Sequence, residues 1–475
     1  MRLQLAIAAI AKASEGHFTR ESNVGSDQKQ ENPRLQNVVT ALKQQGVTTA
    51  HVGIFDIEGG FRERRLDLDD IADTFDNGGT FVNVLHRWDI ADAVYREGPF
   101  IGESVKIDPD SVRHFPFEKD AALFVADYTG SSADTSPREL LQRQVAKASE
   151  MGFDVRCALE FEFIVLQETA TSIRDKGYRN LNTFAADNRC WSGQSAAIYS
   201  DFVRELGELV AHSEIDLLGL GLELGPGCFE ATLRAASPIK AADDAALFKS
   251  FTRAFCRRRD LTASFMAQLS SEFPGLSGHV HLSLTKKDSG ANAFYDAAQP
   301  DCMSKTMQAF VGGLTTLVPD TLALCAHTTN AYRRLVPGNW APRTATWAIQ
   351  NYAAAVRVVS QPESKCRLEF RLPAADTNPH LALAMTLGEG LWGIEHGVAL
   401  ASPLQGGGPT DTPKVGTALP HDLFEAAARL ESNKAAREIF GDTFVDHFVA
   451  SRRWEEATVR RHVSLFERAR YIESV

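Results

Sequence analysis

A polar segment, a helix and a strand-rich stretch follow one another near the start of the chain. Residues 13–34 lack periodic apolar positions, so we predict a flexible leader over residues 1–34. The next segment, LQNVVTALKQQG, has apolar residues at helical spacing and ends at Gly46, a typical residue just beyond a helix C-terminus. The stretch TTAHVGIFDIEGGFRERRLDL then predicts a strand, a Glu-Gly-Gly turn and a second strand.

The hydrophobic pattern changes near residue 136. The short strands and turns before that point predict a small first domain over residues 35–135. Ser136 is the predicted N-cap of a helix, with Pro137 in its first position and Glu139 as capping-box partner. Strands then alternate with longer helical patterns to the end of the chain. We therefore predict an α+β protein with a second domain over residues 136–475.

The short stretch LEFEF, residues Leu159 to Phe163, places two carboxylates in a pattern typical of a buried strand. Alternate residues of a strand share a face, so Glu160 and Glu162 point one way and the apolar residues the other. An unpaired buried carboxylate is very costly. The two acids therefore need either water or a cation.

Other segments repeat this arrangement of charged residues on strand faces or strand-end loops. They supply Glu223 and Glu230 in GLELGPGCFEATL, His279, His281 and Ser283 in SGHVHLSL, Arg333 and Arg334 in NAYRRLVPGNWAP, and Arg367, Glu369 and Arg371 in CRLEFRLP. Carboxylates with an imidazole suit Mg²⁺ or Mn²⁺, and arginines suit carboxylate or phosphate groups. Each segment alone is more typical of an exposed strand face or a surface ion-pair ladder. Their joint occurrence indicates a metal-dependent enzyme, with phosphoryl transfer as the favoured chemistry.

Composition narrows the class of protein further. The chain of 475 residues is 44% hydrophobic and 23% charged, which is ordinary for a soluble globular protein. Its net charge of −11 argues against nucleic acid as the main partner, and no apolar run approaches the length of a membrane span. The seven cysteines are scattered without a CxxC motif, so we expect reduced thiols and a cytoplasmic location.

The chain resembles the glutamine synthetase family in seven stretches that occur in the family order. These stretches are LEFEF, ELGPGCFE, AADDAALFKSFTRAF, TASFMAQLSSEFPGLSGHVHLSL, NAYRRLVPGNWAP, WAIQNYAAAVRV and CRLEFRLPAADTNPHLALA. The first domain resembles the family's β-grasp domain through FDIEGGFRERRL and VLHRWDIADAVY. The resemblance implies a catalytic domain with a curved antiparallel sheet. It also implies a homo-oligomer, a dodecamer of two hexameric rings, whose active sites are shared between neighbouring subunits.

The resemblance also implies a role for each matching residue. It assigns Glu162, Glu223 and Glu230 to a first metal site, and Glu160, His279 and Glu369 to a second site that bridges the ATP phosphates. It assigns Arg334, Arg371 and Gly275 to the glutamate substrate, Arg357 and Arg367 to the phosphates and nucleotide, and His281 and Ser283 to the nucleotide lining. It matches Asp89 to an aspartate that reaches into the neighbouring subunit and helps to deprotonate the attacking amine.

The implied reaction has two steps and needs ATP with Mg²⁺ or Mn²⁺. ATP phosphorylates the γ-carboxylate of glutamate, and an amine then attacks the γ-glutamyl phosphate to give an amide and phosphate. Cations neutralise the transferring phosphoryl group, while arginines such as Arg334 and Arg357 stabilise the charge that moves onto it.

The loop PGNWAP departs from the pattern of true glutamine synthetases. Trp340 stands where the family has a glutamate that helps to capture ammonium. A tryptophan wall suits an apolar body on the nitrogen. We therefore favour a glutamate–amine ligase, a γ-glutamyl-amide synthetase that takes an aniline-like or alkyl amine, as a γ-glutamylanilide synthetase would. In the alternative interpretation, Trp340 only packs the loop.

Two further departures keep other functions open. Asn351-Tyr352-Ala353 replaces the family's Asn-Arg-Ser/Thr, so the role of that arginine is lost or moves to Arg357 or Arg343. The stretch PGLSGH also shifts the glycine spacing before His279, so the loop on the glutamate side is expected to differ. The alternatives are an ordinary glutamine synthetase that uses ammonium and a non-catalytic assembly protein with the same fold.

Overall fold

The computed structural model describes residues 33–76, 78–408 and 415–475. The first 32 residues of the predicted leader lie outside these ranges. Helix α1, Pro33–Gln44, opens the described part and buries the four apolar residues Leu35, Val38, Val39 and Leu42. The predicted helix is thus confirmed, and Gly46 follows it with a φ of +82°, the left-handed conformation in which glycine is favoured.

A mixed sheet lies beside α1 and shares one hydrophobic core with it. Its elements are β1 (Thr49–Phe55), β2 (Phe61–Asp67), helix α2 (Asp70–Asp76), β3 (Thr80–Val82), β4 (Gly102–His114) and β5 (Ala121–Tyr128). In the described residues the strand order is β2-β1-β5-β4-β3. The β1–β5 pair is parallel and the other three pairs are antiparallel.

The predicted turn between β1 and β2 is present. Asp56 Oδ1 accepts hydrogen bonds from the backbone N–H groups of Glu58 at 3.0 Å and Gly60 at 2.7 Å. Gly59 has a φ of +82°, and a Cβ on Gly60 would lie 2.8 Å from Asp56 Oδ2. The Glu-Gly-Gly sequence therefore suits the turn that the carboxylate of Asp56 closes.

The rest of the chain carries most of the helices. They are α3 (Pro137–Glu150), α4 (Ala170–Asp175), α5 (Gly193–Ile198), α6 (Ser200–His212), α7 (Pro238–Arg257), α8 (Lys305–Thr321), α9 (Ala331–Arg334), α10 (Pro379–Glu395), α11 (Leu423–Ser432), α12 (Lys434–Phe440), α13 (Asp442–Arg460) and α14 (Leu465–Tyr471). Helix α3 begins at the predicted N-cap, with Pro137 in its first turn and Ser136 Oγ accepting a hydrogen bond from the N–H of Glu139. The predicted capping box is not completed, because the N–H of Ser136 donates to the carbonyl of Ala133 and not to the Glu139 side chain. No helix in the described ranges has the length and apolarity needed to cross a bilayer.

A larger sheet forms the centre of this second part. Its strands are β6 (Phe153–Leu166), β7 (Leu217–Leu222), β8 (Cys228–Leu233), β9 (Thr262–Ser264), β10 (Gly278–Lys286), β12 (Trp347–Ile349), β13 (Val356–Val359) and β14 (Arg367–Phe370), and a separate pair joins β11 (Thr344–Ala345) to β15 (Thr417–Ala418). Among the described residues, the strand order of the larger sheet is β12-β13-β14-β10-β6-β8-β7, and β9 also pairs with β6. Only the β12–β13 pair is parallel in this sheet as described. The predicted α+β class is confirmed.

One face of β6 packs into the main core. Leu159, Phe161 and Phe163 are fully buried. The ring of Phe163 lies 6.1 Å from that of Phe248 on α7 and 5.2 Å from that of Phe265, measured between centroids. This packing fixes the strand, and the opposite face of β6 is left to carry the acidic side chains.

Candidate active site

The polar face of β6 is the centre of the candidate site. Glu160 and Glu162 are half-buried on this face, as the alternation in LEFEF predicts. The pairing of the neighbouring strands adds further side chains, because His279 on β10 lies opposite Glu160 and Glu230 on β8 lies opposite Glu162. The sheet register therefore collects side chains that are far apart in the sequence.

Glu160, His279 and Glu369 form what we call the compensated group. His279 Nδ1 lies 2.8 Å from Glu160 Oε1 and 3.5 Å from Glu369 Oε1. One ligand atom from each of the three residues falls within 4.8 Å of the others, so they can hold one metal ion together. Two carboxylates and an imidazole are a donor set that suits Mg²⁺ or Mn²⁺.

The pKa values of the compensated group favour ionised carboxylates beside a neutral imidazole. Burial opposes ionisation of Glu160, but hydrogen bonds with His279 and His281 hold its pKa well below the usual range. Burial likewise acts against Glu369, but the neighbouring His279 and Arg371 lower its pKa to about 2. Burial lowers the pKa of His279 to about 4. A neutral histidine is the form that can bind a metal.

Glu162, Glu223 and Glu230 form the second half of the site, which we call the acidic group. Glu162 Oε2 accepts hydrogen bonds from the N–H of Ser277 at 2.5 Å and from its hydroxyl at 2.6 Å. Glu223 follows the end of β7 and is held by donors from two different loops. These donors are Cys190 Sγ at 3.0 Å, Trp191 Nε1 at 2.7 Å and the N–H of Leu224 at 2.9 Å.

The acidic group is less well compensated, because burial raises the pKa of Glu162 and the opposing charge of Arg334 does not outweigh it. Burial, followed by the charges of Glu160 and Glu162, raises the pKa of Glu230 to about 9. Burial also raises the pKa of Glu162, although hydrogen bonds from Ser277 oppose the shift. Carboxylates crowded in this way are stabilised in their charged form by a divalent cation. The compensated group therefore fits a divalent metal ion in its present geometry, whereas the carboxylates of the acidic group, whose oxygens do not all lie within 4.8 Å of one another, suit such an ion by their chemistry.

Two arginines share Glu369. Arg371 donates to Glu369 Oε1 and Arg357 donates to Glu369 Oε2. Arg357 on β13 lies opposite Glu369 in the sheet register, while Arg371 follows directly after β14. The ring of Tyr352 lies against both guanidinium groups, 4.1 Å from Arg357 and 5.3 Å from Arg371. These arginines place positive charge beside the compensated group.

Arg334, Gly275 and the following loop are packed tightly together. Arg334 is 2% exposed and donates to the backbone carbonyls of Leu372 at 3.0 Å and Arg371 at 3.1 Å. A Cβ on Gly275 would lie 2.6 Å from Arg334 Cγ and 2.9 Å from Gln268 Oε1, so this contact requires glycine. Burial lowers the pKa of Arg334 to about 10, a value at which it still carries its charge at neutral pH.

Trp340 lies in the loop that follows Arg334. Its neighbour Asn339 donates to Gln268 Oε1 at 2.9 Å and to the Arg334 carbonyl at 3.3 Å, which ties the loop to the buried arginine. Trp340 itself has a φ of +54° and is 49% exposed. A bulky residue with this φ is strained. About half of the surface of Trp340 is accessible to solvent.

The predicted nucleotide-lining residues share the polar face of β10. His281 Nε2 lies 3.5 Å from Glu160 Oε2, and Arg367 Nε donates to His281 Nδ1 at 3.4 Å. Ser283 follows at the next position on the same face, opposite Arg156 of β6. His281 thus contacts the compensated group directly, Arg367 is linked to it through His281, and Ser283 extends the row away from it.

Asp89 is the one predicted site residue whose carboxylate is bound elsewhere in its own chain. Its Oδ1 accepts from the N–H groups of Ala91 at 2.8 Å and Ala93 at 2.9 Å, and its Oδ2 accepts from Trp454 Nε1 at 2.8 Å. Asp89 is buried. Its role in a neighbouring subunit stays a prediction.

The sequence analysis did not identify several side chains that contact predicted site residues. Cys190 and Trp191 bind Glu223, and Tyr352 stacks on Arg357 and Arg371. Trp191 is 81% exposed. Its position within the polar segment DNRCWSGQS, where an apolar side chain is unusual, was the sequence feature that could have marked it as a candidate site residue. Tyr352 was noted only as the site of a missing arginine.

Comparisons with known proteins agree with this arrangement. Residues 134–471 match the sequence profile of the glutamine synthetase catalytic domain. The chain is 33% identical to type-1 glutamine synthetase 2 of Dictyostelium discoideum, over 88% of this chain and 82% of that protein. It is 29% identical to glutamate–isopropylamine ligase of a Pseudomonas species, over 91% of this chain and 97% of that protein.

Two further comparisons extend these findings. The chain is 31% identical to gamma-glutamylethanolamide synthetase GlnA4 of Streptomyces coelicolor, over 73% of each protein. Among solved structures, ligand-free GmaS has a TM-score of 0.79 at 24% identity, covering 91% of this chain and 99% of its own. That structural likeness supports the fold.

Proposed function

Because the chain belongs to the glutamine synthetase family, we propose that it joins the γ-carboxylate of glutamate to an organic amine at the expense of ATP. The membership itself supports glutamate-ligase chemistry. The proposed intermediate is γ-glutamyl phosphate, which an amine converts into a γ-glutamyl amide with release of phosphate. The proposal is supported by the convergence of the compensated group, the acidic group and three buried or half-buried arginines at the polar face of one sheet.

The two groups of carboxylates are the proposed metal sites. Glu160, His279 and Glu369 would hold one Mg²⁺ or Mn²⁺, and Glu162, Glu223 and Glu230 would hold another. Bound there, the ions would neutralise negative charge on the phosphates of ATP and on the transferring phosphoryl group. Ser277 keeps Glu162 in place for this role through two hydrogen bonds to a single oxygen.

Arginines are the proposed contacts for the anionic parts of the substrates. Arg334 and Arg371 would hold the carboxylates of glutamate, beside Gly275. Arg357 and Arg367 would contact the phosphates and the nucleotide, next to His281 and Ser283. A guanidinium group keeps its charge at all relevant pH values and can bind a carboxylate or phosphate through two hydrogen bonds.

The exposed side chain of Trp340 carries the proposed amine preference. Its loop, VPGNWAP, contains no acidic residue, and the tether through Asn339 holds it against Arg334. An apolar wall without a carboxylate favours an amine with an apolar substituent over ammonium. We therefore favour an alkylamine or an aniline-like amine as the substrate.

Trp191 supports the same preference. Its indole ring is exposed, and its N–H group binds Glu223. A second aromatic surface is thus present at the acidic group. We further propose that the chain acts in the cytoplasm as a homo-oligomer, a dodecamer of two hexameric rings, in which Asp89 helps to deprotonate the amine bound in a neighbouring subunit.

Product mass spectrometry on the purified full chain tests the proposal. The protein is incubated with ATP, Mg²⁺ and glutamate, and with one amine at a time from ammonium, ethanolamine, putrescine, isopropylamine and aniline. We expect a γ-glutamyl adduct with isopropylamine or aniline and little glutamine. Glutamine as the main product would instead support an ordinary glutamine synthetase. No adduct and no ATP consumption with any amine would support the non-catalytic assembly.

The variant Trp340→Glu tests the amine preference itself. Returning a carboxylate to the loop is expected to raise the ratio of glutamine to apolar adduct about tenfold, since the site would then favour a cation over an apolar group. The matched control is Trp340→Phe, which keeps an apolar wall and should keep the ratio of the unchanged protein. An equal product ratio in all three proteins would refute the role of Trp340.

A further inference from the structure

Tyr352 lies where two arginines and one glutamate meet. Its ring faces the guanidinium groups of Arg357 at 4.1 Å and Arg371 at 5.3 Å, and its backbone carbonyl accepts a hydrogen bond from Arg371 Nε at 3.1 Å. Arg357 also donates to Gln350 Oε1 at 2.8 Å. Tyr352 is 52% exposed, so its side chain contributes little to the hydrophobic core.

The carboxylate of Glu369 is the shared anionic partner of these arginines. It uses Oε1 for Arg371 and Oε2 for Arg357, and the same residue belongs to the compensated group. A cation bound by the compensated group would be coordinated by these carboxylate oxygens of Glu369. The pull of Glu369 on both guanidinium groups would then weaken, and the added positive charge would repel them.

The ring of Tyr352 is a partner for which a divalent cation in the compensated group does not compete. An aromatic face attracts a guanidinium group without supplying a formal charge. We propose that Tyr352 is a positioning residue that holds Arg357 and Arg371 at the compensated group when Glu369 is engaged by metal. The inference rests on the proposed function, because it assumes that these two arginines bind the anionic parts of the substrates.

This role needs the ring of Tyr352 and not its hydroxyl group. Tyr352→Phe keeps the aromatic face, while Tyr352→Leu keeps the apolar volume and removes the face. Phe424→Leu is the matched control, because Phe424 is 54% exposed and lies 5.3 Å from the guanidinium group of Arg460, outside the candidate site. All three variants keep the full chain and change no charge.

The first measurement is the affinity for ADP with Mg²⁺, determined by calorimetry, which requires no turnover. We expect Tyr352→Leu to weaken ADP binding about tenfold, which corresponds to a cation–π contact in a partly desolvated site. Tyr352→Phe and Phe424→Leu should bind within about twofold of the unchanged protein. The melting temperature in EDTA should be the same for all four proteins, since the arginines then keep Glu369.

Kinetics with the best amine provide the second measurement. We expect Tyr352→Leu to lower kcat about tenfold and to raise the KM for glutamate, with rescue by phenylalanine. Wild-type ADP affinity and kcat in Tyr352→Leu, or an equal loss in Tyr352→Phe, would overturn the inference. If the unchanged protein binds ADP but makes no amide, the proposed function fails and the ADP affinities still decide the role of Tyr352.

Discussion

The two halves of the candidate site hold equal numbers of ligand side chains but differ in how their charge is balanced. In the compensated group, His279 and two arginines surround the carboxylates, and the pKa of Glu369 falls to about 2. In the acidic group, three carboxylates lie together and the pKa of Glu230 rises to about 9. The carboxylates of the compensated group are therefore already ionised before a cation binds. Those of the acidic group become fully ionised only when a cation is bound.

The two groups therefore differ in how they affect the stability of the folded sheet when no metal is bound. The compensated group contributes its own ion pairs to the folded state, so it can form before a metal binds. In the acidic group, Glu162 and Glu230 lie directly opposite each other on neighbouring strands, so Glu230 keeps its proton at neutral pH when no cation is bound. The following predictions test this comparison.

The largest effect is expected from Glu162→Ala. Loss of this carboxylate removes a ligand from the acidic group, and we expect amide formation to fall by about 10³-fold or more. Assembly, measured by light scattering, should not change. Glu208→Ala, which alters an exposed glutamate on α6, should keep full activity. Retained activity in Glu162→Ala would contradict the assignment of this residue to a metal site.

A comparison of Glu369→Gln with Glu230→Gln tests the balance of charge directly. Glu369→Gln leaves Arg357 and Arg371 without their carboxylate, so we expect the free energy of unfolding without metal to fall by about 3 kcal/mol. Glu230→Gln replaces a carboxyl group that must take up a proton on folding at pH 7, so it should leave the free energy of unfolding unchanged or raise it. Chemical denaturation at pH 7 measures both. Equal destabilisation by the two substitutions would contradict the comparison.

The pH dependence of stability should show the same asymmetry. The pKa of Glu230 rises from its ordinary 4.5 to about 9 in the folded state, so the folded chain keeps a proton that the unfolded chain loses. Stability of the metal-free protein should therefore fall as pH rises between these two values. Glu230→Gln should flatten this decline in thermal melts recorded in EDTA. A decline of equal slope in the variant would assign the effect to other groups.

The smallest expected effects come from the hydroxyl groups that support each half. Ser277→Ala removes one of two bonds to Glu162, and we expect Mg²⁺ affinity to fall about tenfold. Thr232→Ala removes a 3.2 Å bond to Glu160, which retains the contact with His279, so its effect should be smaller. Calorimetric titration with Mg²⁺ measures both. A larger loss in Thr232→Ala would reverse the comparison.

The sequence predicted the local parts of this site well. Alternation in LEFEF correctly assigned the glutamates to one face of β6 and the apolar residues to the core, because that face depends only on the period of a strand. The cap at Ser136, the helix before Gly46 and the Glu-Gly-Gly turn were also confirmed. Such features depend on contacts between residues close in sequence.

The long-range contacts could not be predicted in the same way. The pattern alone does not show that His279 pairs with Glu160 across 119 positions, since register depends on the whole sheet. The bond from Trp454 to Asp89 and the stacking of Tyr352 on two arginines likewise depend on how separate elements meet. The family resemblance supplied the expected residue set, but not these partners.

The raised pKa of Glu230 has a consequence for laboratory evolution of this protein. Selection for heat resistance in a chelating buffer would enrich variants in which a neutral residue replaces Glu230, because the folded chain gains stability when that carboxylate is lost. The same selection in the presence of Mg²⁺ would not enrich these variants. The ions in the screening buffer would thus decide whether selection keeps or discards the proposed active site.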